Sequence, residues 1–153
     1  MMILAANPLE DVDWLFPLME CLHIVGFALS IGTIAVVDFC VLGAGPRRQY
    51  AAQISRSLGP WTLVGLVDML FTGPLLYLGN GGAVQYNRNP GFQFKMLCLV
   101  LAIIYHYTLH NRLIRSEGAV DGSAVAPRIA ASVSLMLWCC VVFGGLFIAF
   151  TEA

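Results

Sequence analysis

Four stretches of the chain, at about 14–43, 61–79, 92–111 and 129–150, are apolar for long enough to cross a bilayer, and only short segments separate them. A membrane-crossing helix takes roughly 20 mostly apolar residues, because the hydrocarbon core is about 30 Å thick and each helical residue rises about 1.5 Å. That core holds no water, so every backbone N–H and C=O must be satisfied within the protein, and a lone apolar stretch does so as a helix. Residues 1–153 therefore read as one domain, an all-α transmembrane four-helix bundle. Composition agrees: 11% of the residues are charged, against about one quarter in soluble domains.

The first fourteen residues have no basic stretch and pass through Glu10, Asp11 and Asp13, so a cleaved signal peptide is not expected. Arg47, Arg48 and Arg56 follow the first span, and Arg112, Arg115 and Arg128 follow the third. By the positive-inside rule both termini face outward, to the periplasmic side of a bacterial inner membrane; Arg88 and Lys95 in the middle loop reduce that contrast. Trp14, Trp61, Tyr77 and Tyr86 lie near span ends, as in an aromatic belt. The five cysteines, at 21, 40, 98, 139 and 140, show no ligand-like spacing and are expected as buried free thiols. The glycines at 79–82 are not followed by the Lys-Ser/Thr of a phosphate loop. With no Ser/His/Asp set and no basic nucleic-acid surface, neither a soluble enzyme nor a nucleic-acid binder is indicated, and no stand-alone catalysis is expected.

Small residues suggest where helices come close. Gly26 and Ser30, four apart, allow a neighbouring backbone or a flat ligand to approach, as do Ala28 and Gly32, while Gly144-Gly145 suggests a contact in the fourth span. Pro74, after Thr72-Gly73, lacks the N–H that the carbonyl of Leu70 would accept, and is expected to bend the second span. Residues 45–60 read as a linker with a short interfacial helix, and 79–91 as turns.

Ionisable side chains within a bilayer are costly enough to mark function. Glu20, His23, Asp68, His106 and His110 all fall inside the spans. With one boundary near Trp14, His23 lies about 13 Å deep and Glu20 about 9 Å; Asp68, about 20 Å deep, and His106, about 21 Å, share a level. His110 is expected at the inner interface beside Arg112, and Asp38 is expected to pair with an arginine there. Glu20, His23 and Ser30 lie along one stripe, expected to face the interior.

These positions point to one specific site: His23 and His106 as the axial metal ligands of a b-type haem held between the first and third spans. Asp68 would orient His106 by accepting its second ring N–H. Gly26 and Ser30 would leave room for the ring, and its propionates would meet Lys95, Arg88, Tyr86 or Trp14. The plainer alternative is a set of hydrogen bonds across the bundle, which in membrane proteins average about 0.6 kcal/mol each.

The run Glu20-Cys21-Leu22-His23-Ile24-Val25-Gly26, continuing to Gly32-Thr33 and Asp38, then Thr72-Gly73, then Asn89-Pro90-Gly91-Phe92-Gln93-Phe94-Lys95, resembles a family of uncharacterised bacterial four-helix integral membrane proteins. The resemblance covers nearly the whole chain. That family is distantly similar to the membrane domain of copper-resistance D-type proteins and to other small four-helix proteins with a histidine in the first helix. The resemblance implies the fold and gives weight to His23, but it implies no reaction. The family pattern has no fixed histidine at the position of His106, so a His23–His106 ligand pair would be particular to this chain.

Three classes of function follow. The first is haem b electron transfer, with a quinone as exchange partner. The second is a non-catalytic subunit of a larger membrane complex, or a homodimer, which the small-residue faces fit. The third is a proton or copper path through Glu20, His23, Asp68 and His106, with Met19, Met69 and Met96 as soft donors.

Overall fold

The structure is a computed structural model, and it describes residues 14–44, 50–79, 83–115 and 125–150. The acidic start, Arg47 and Arg48, the glycines at 81–82 and the end at 151–153 lie outside the described residues.

The chain runs through α1 (Leu15–Leu42), α2 (Ala51–Gly79), the short α3 (Ala83–Arg88), α4 (Pro90–Tyr105), a π-helical turn (His106–His110), α5 (Asn111–Arg115) and α6 (Val125–Phe150). α4, the π turn and α5 are continuous over Pro90–Arg115; this segment, α1, α2 and α6 are four helices long and apolar enough to cross a membrane. α1 stops at Gly43, whose left-handed φ of 91° lets the next N–H, that of Ala44, reach the carbonyl of Phe39 at 2.9 Å and so satisfy an end carbonyl. α4 starts on Asn89, whose side chain accepts from the Phe92 N–H, with Pro90 in the first helical position where no N–H is needed.

Successive long helices are antiparallel. His23 near the start of α1 meets Thr72 near the end of α2, and Thr33 further along α1 meets Thr62. The Asn89 amide donates to the carbonyl of Ile148 near the end of α6, and the Tyr105 hydroxyl donates to that of Ala130 near its start. α1 packs on α2, α4 packs on α6, and α1 touches α6.

The described outer surface is apolar, as expected where lipid rather than water surrounds it, and the interior mixes apolar side chains with small and polar ones. α1 buries Gly26, Ser30, Ile34, Val37, Asp38 and Val41 along one stripe, while Leu22, Ile24, Val25, Val36 and Phe39 face outward. A Cβ on Gly65 would stand 2.6 Å from the Gly26 carbonyl oxygen and 2.7 Å from the Ser30 nitrogen, so α1 and α2 touch backbone to backbone there. Gly144 of α6 does the same for α4, where its Cβ would lie 3.0 Å from the Cα of Lys95. Ile34, Leu66, Met69, Leu99, Ala102, Trp138 and Val141 close the middle of the core.

Several expectations are corrected. The segment 51–60, expected as a short interfacial helix in a linker, is helical but not separate: it is the beginning of α2, which runs through both Pro60 and Pro74. Each proline removes one helical hydrogen bond, but spanning helices tolerate this because other groups take up the freed carbonyls. Trp61 is consequently mid-helix, not at a span end. The segment read as turns contains α3. Of the cysteines, Cys40 and Cys98 are buried, while Cys21 and Cys139 are exposed. Glu20 is exposed as well: at 100° per residue it sits about 80° round the helix from Ser30, whereas His23 sits about 20° away.

Candidate functional site

Among the described residues, one cavity enters the bundle at each end, and the two expected ligands divide between them: His23 lines one and His106 the other. His23, Met69, Gly73, Tyr77, Lys95 and Met96 line the first, of about 600 Å³. His106, His110, Thr62, Arg56 and Arg115 line the second, of about 400 Å³.

In the first cavity the His23 ring is held by α2. Its Nδ1 lies 2.7 Å from the Thr72 hydroxyl, and that hydroxyl donates its single proton to the carbonyl of Asp68 at 2.7 Å. With the hydroxyl proton committed, the ring nitrogen is the donor, and the neutral imidazole keeps its lone pair on Nε2. Gly73 lies against the ring: a Cβ there would make an ordinary van der Waals contact with Cε1 of His23, at 3.4 Å. Lys95 brings an ammonium group to the same cavity from α4, its backbone pressed against Gly144.

Apart from Asn87, the rest of the lining is apolar or aromatic. Tyr77, Tyr86 and Phe92 form a three-ring cluster, with centroids 5.5 to 5.9 Å apart, that joins α2, α3 and α4 over one end of the cavity. Nothing in residue spacing announces this cluster, because it depends on α3 folding back. Leu70 of α2 and Met96 of α4 are both lining residues and exposed, so the cavity opens onto the apolar outer surface.

Asp68, Gly26 and Ser30 lie beside this cavity rather than in its lining. A Cβ on Gly26 would collide with the Asp68 carboxylate, so the space at Gly26 is filled by Asp68. Ser30 donates to the carbonyl of Phe27 and faces the sulfur of Met69 at 3.5 Å. Met19 is not among the lining residues.

At the second cavity the π turn brings two histidines inward. His106 and His110 stack with centroids 5.0 Å apart and planes 26° apart, and they are only 6% and 1% exposed. His110 Nε2 donates to Asp38 Oδ1 at 2.5 Å. Asp38 therefore pairs with a histidine rather than with an arginine, and His110 is interior rather than interfacial. His106 makes no hydrogen bond to Asp68; its Nδ1 is buried without a partner among the described residues.

The two predicted ligands thus stand apart. His23 meets α2 at Thr72 and Gly73, while His106 shares its cavity with Gly59 and Thr62, ten or more residues away on the same helix, or about 15 Å along the axis. Among the described residues there is also no group of three or more His, Cys, Asp or Glu side chains arranged to hold a metal ion. The first cavity offers His23 as a hydrogen-bond acceptor, Lys95 as a cationic donor, and a largely apolar and aromatic wall that also carries Asn87.

No family model, curated protein or solved structure matches the chain.

Proposed function

We propose that this is a small integral membrane protein that holds the flat, oxygen-bearing ring of a lipid-soluble compound of the quinone class in the His23 cavity, as a carrier or subunit in electron transfer. The observation that carries this reading is the fixed His23 ring: Thr72 occupies Nδ1 and leaves Nε2 for a ligand in a largely apolar cavity. A quinol hydroxyl would donate to Nε2, and Lys95 would donate to a ring oxygen. The volume lies in the range of small-molecule sites, which are mostly apolar with a few placed polar groups. The opening beside Leu70 and Met96 suits a ligand arriving through the bilayer.

The inner-membrane placement and outward termini belong to the same proposal. Arg56, Arg112, Arg115 and Arg128 all fall near the end where α1 stops, which favours that end as cytoplasmic. The His23 cavity is then in the outer half.

A second reading has its own support. Met69 and Met96 line the same cavity as His23, and histidine with methionine is an established haem ligand pair. Haem b would then be held by His23 within this cavity, with Lys95 near a propionate, rather than bridged between His23 and His106. Solvent extraction and a visible spectrum of the purified protein separate the readings. Extracted quinone with no Soret band supports the first, a Soret band supports the second, and absence of both removes them together.

A further inference from the structure

The second cavity has a chemistry of its own, which the ring-binding proposal does not use. Its described lining contains two arginines and two histidines but no carboxylate. Asp38 is not among the lining residues and is engaged by His110. Arg115 is anchored on α2, with Nε 3.4 Å from the Ser55 hydroxyl and Nη2 3.5 Å from the Ser55 carbonyl. Nη2 also lies where Gly59 leaves space, 3.2 Å from the position a Cβ would take. Two of the five guanidinium N–H donors are thus committed and three remain.

Deeper in, the Nδ1 atoms of His106 and His110 are buried without a hydrogen-bond partner among the described residues, on side chains more than nine-tenths buried. His106 and His110, four residues apart, lie on one side of the helix, and the segment they bound is a π turn, a feature that often accompanies functional sites. Tyr107 and Leu63 are lining residues that are also exposed, so the cavity has an apolar rim.

We infer that this cavity binds a phosphate group, with Arg56 and Arg115 as the charged contacts and His106 as a donor beneath them. Arginine suits the task because its planar fork matches phosphate oxygens in pairs. Two sources carry the same chemistry: free inorganic phosphate, and the headgroup of an anionic lipid whose chains lie against Tyr107 and Leu63. Basic pockets between spanning helices are recognised lipid-phosphate sites.

The test is native mass spectrometry of the full-length protein released from micelles containing inorganic phosphate, dioctanoyl phosphatidic acid, or octanoate as a phosphate-free anion. One phosphate probe is expected to bind one-to-one, with occupancy falling at least tenfold in Arg56→Gln and in Arg115→Gln. Arg88→Gln, a charge loss at the other end of the bundle, is expected to leave it unchanged. Arg56 is exposed and makes no described contact that folding needs, so its variant is informative even if Arg115→Gln unfolds. Binding of inorganic phosphate identifies the free ion, and binding of phosphatidic acid alone identifies the lipid. The inference is overturned if neither probe binds the unmodified protein, if octanoate binds equally well, or if binding survives Arg56→Gln at full strength. None of these outcomes depends on what the His23 cavity holds.

Discussion

His110 of the π turn and Asp38 of α1 form a hydrogen-bonded pair across the bundle, with 1% and 0% of their side chains exposed. Neither group has water to fall back on, so removing one strands the other. Asp38→Ala is expected to destabilise the protein by about 3 kcal/mol, the scale for breaking a buried pair. Replacing both, as Asp38→Leu with His110→Phe, is expected to recover most of that loss, because no polar group then remains unpaired. Thermal unfolding of the two variants in detergent reads the difference; a double variant no more stable than Asp38→Ala would show that the pair is not the cause.

The contact between α1 and α2 makes a second prediction. Gly65→Ala would drive a methyl into backbone atoms of Gly26 and Ser30, which cannot rotate away, and a loss of about 1–3 kcal/mol is expected from overpacking. Gly32, on the same pair of helices, has nothing within 4 Å of a Cβ. Gly32→Ala is expected to leave stability unchanged or raise it by up to about 1 kcal/mol, the difference in helix propensity. Unfolding temperatures that moved together in both variants would contradict the backbone contact.

The four spans were legible in the sequence because lipid imposes a single demand on every one of them. The site was legible only in part. His23 stands out from its cost in an apolar helix, whereas Lys95 reads only as a middle-loop charge and a contact for haem propionates. The partnership of His23 with Thr72 was missed, because Pro60 was read as a boundary although α2 runs through it. Starting α2 at Trp61 set Asp68 at the level of His106, whereas in the structure it packs on Gly26 near His23. His110 was misplaced for a different reason. Buried positions 98, 102, 106, 110 and 114 recur every four residues, a spacing that drifts by about 40° per step in a straight α-helix. The π turn takes back part of that drift, and hydrophobic periodicity gives no sign of it.

Thr72 is expected to act through His23 rather than on a ligand directly. Thr72→Val keeps the shape of the side chain and removes the hydroxyl between His23 and the Asp68 carbonyl. Affinity for a quinone analogue, followed by fluorescence quenching, is expected to fall about tenfold, the lower end for losing a partner that orients a binding histidine. Thr72→Ser keeps the hydroxyl and is expected to retain most of the affinity. Equal loss in both variants would assign the effect to packing.

Lys95 separates its two roles cleanly. Its backbone and Cβ pack on Gly144, and its ammonium lines the His23 cavity. Lys95→Met is therefore expected to leave the unfolding temperature within a few degrees while weakening binding of the same analogue by about tenfold or more, as for a charged hydrogen bond worth about 1.5–3 kcal/mol. Unchanged affinity would remove Lys95 from the site.

The measurement closest to the central claim is the ring content of the protein purified from its own membranes, by solvent extraction for quinone and visible absorption for haem, in three forms. A ring compound near one per chain is predicted in the unmodified protein and in His106→Leu, and its loss is predicted in His23→Leu with the fold retained. A protein carrying neither compound, or one that loses it equally in His106→Leu, would contradict a ring site built on His23.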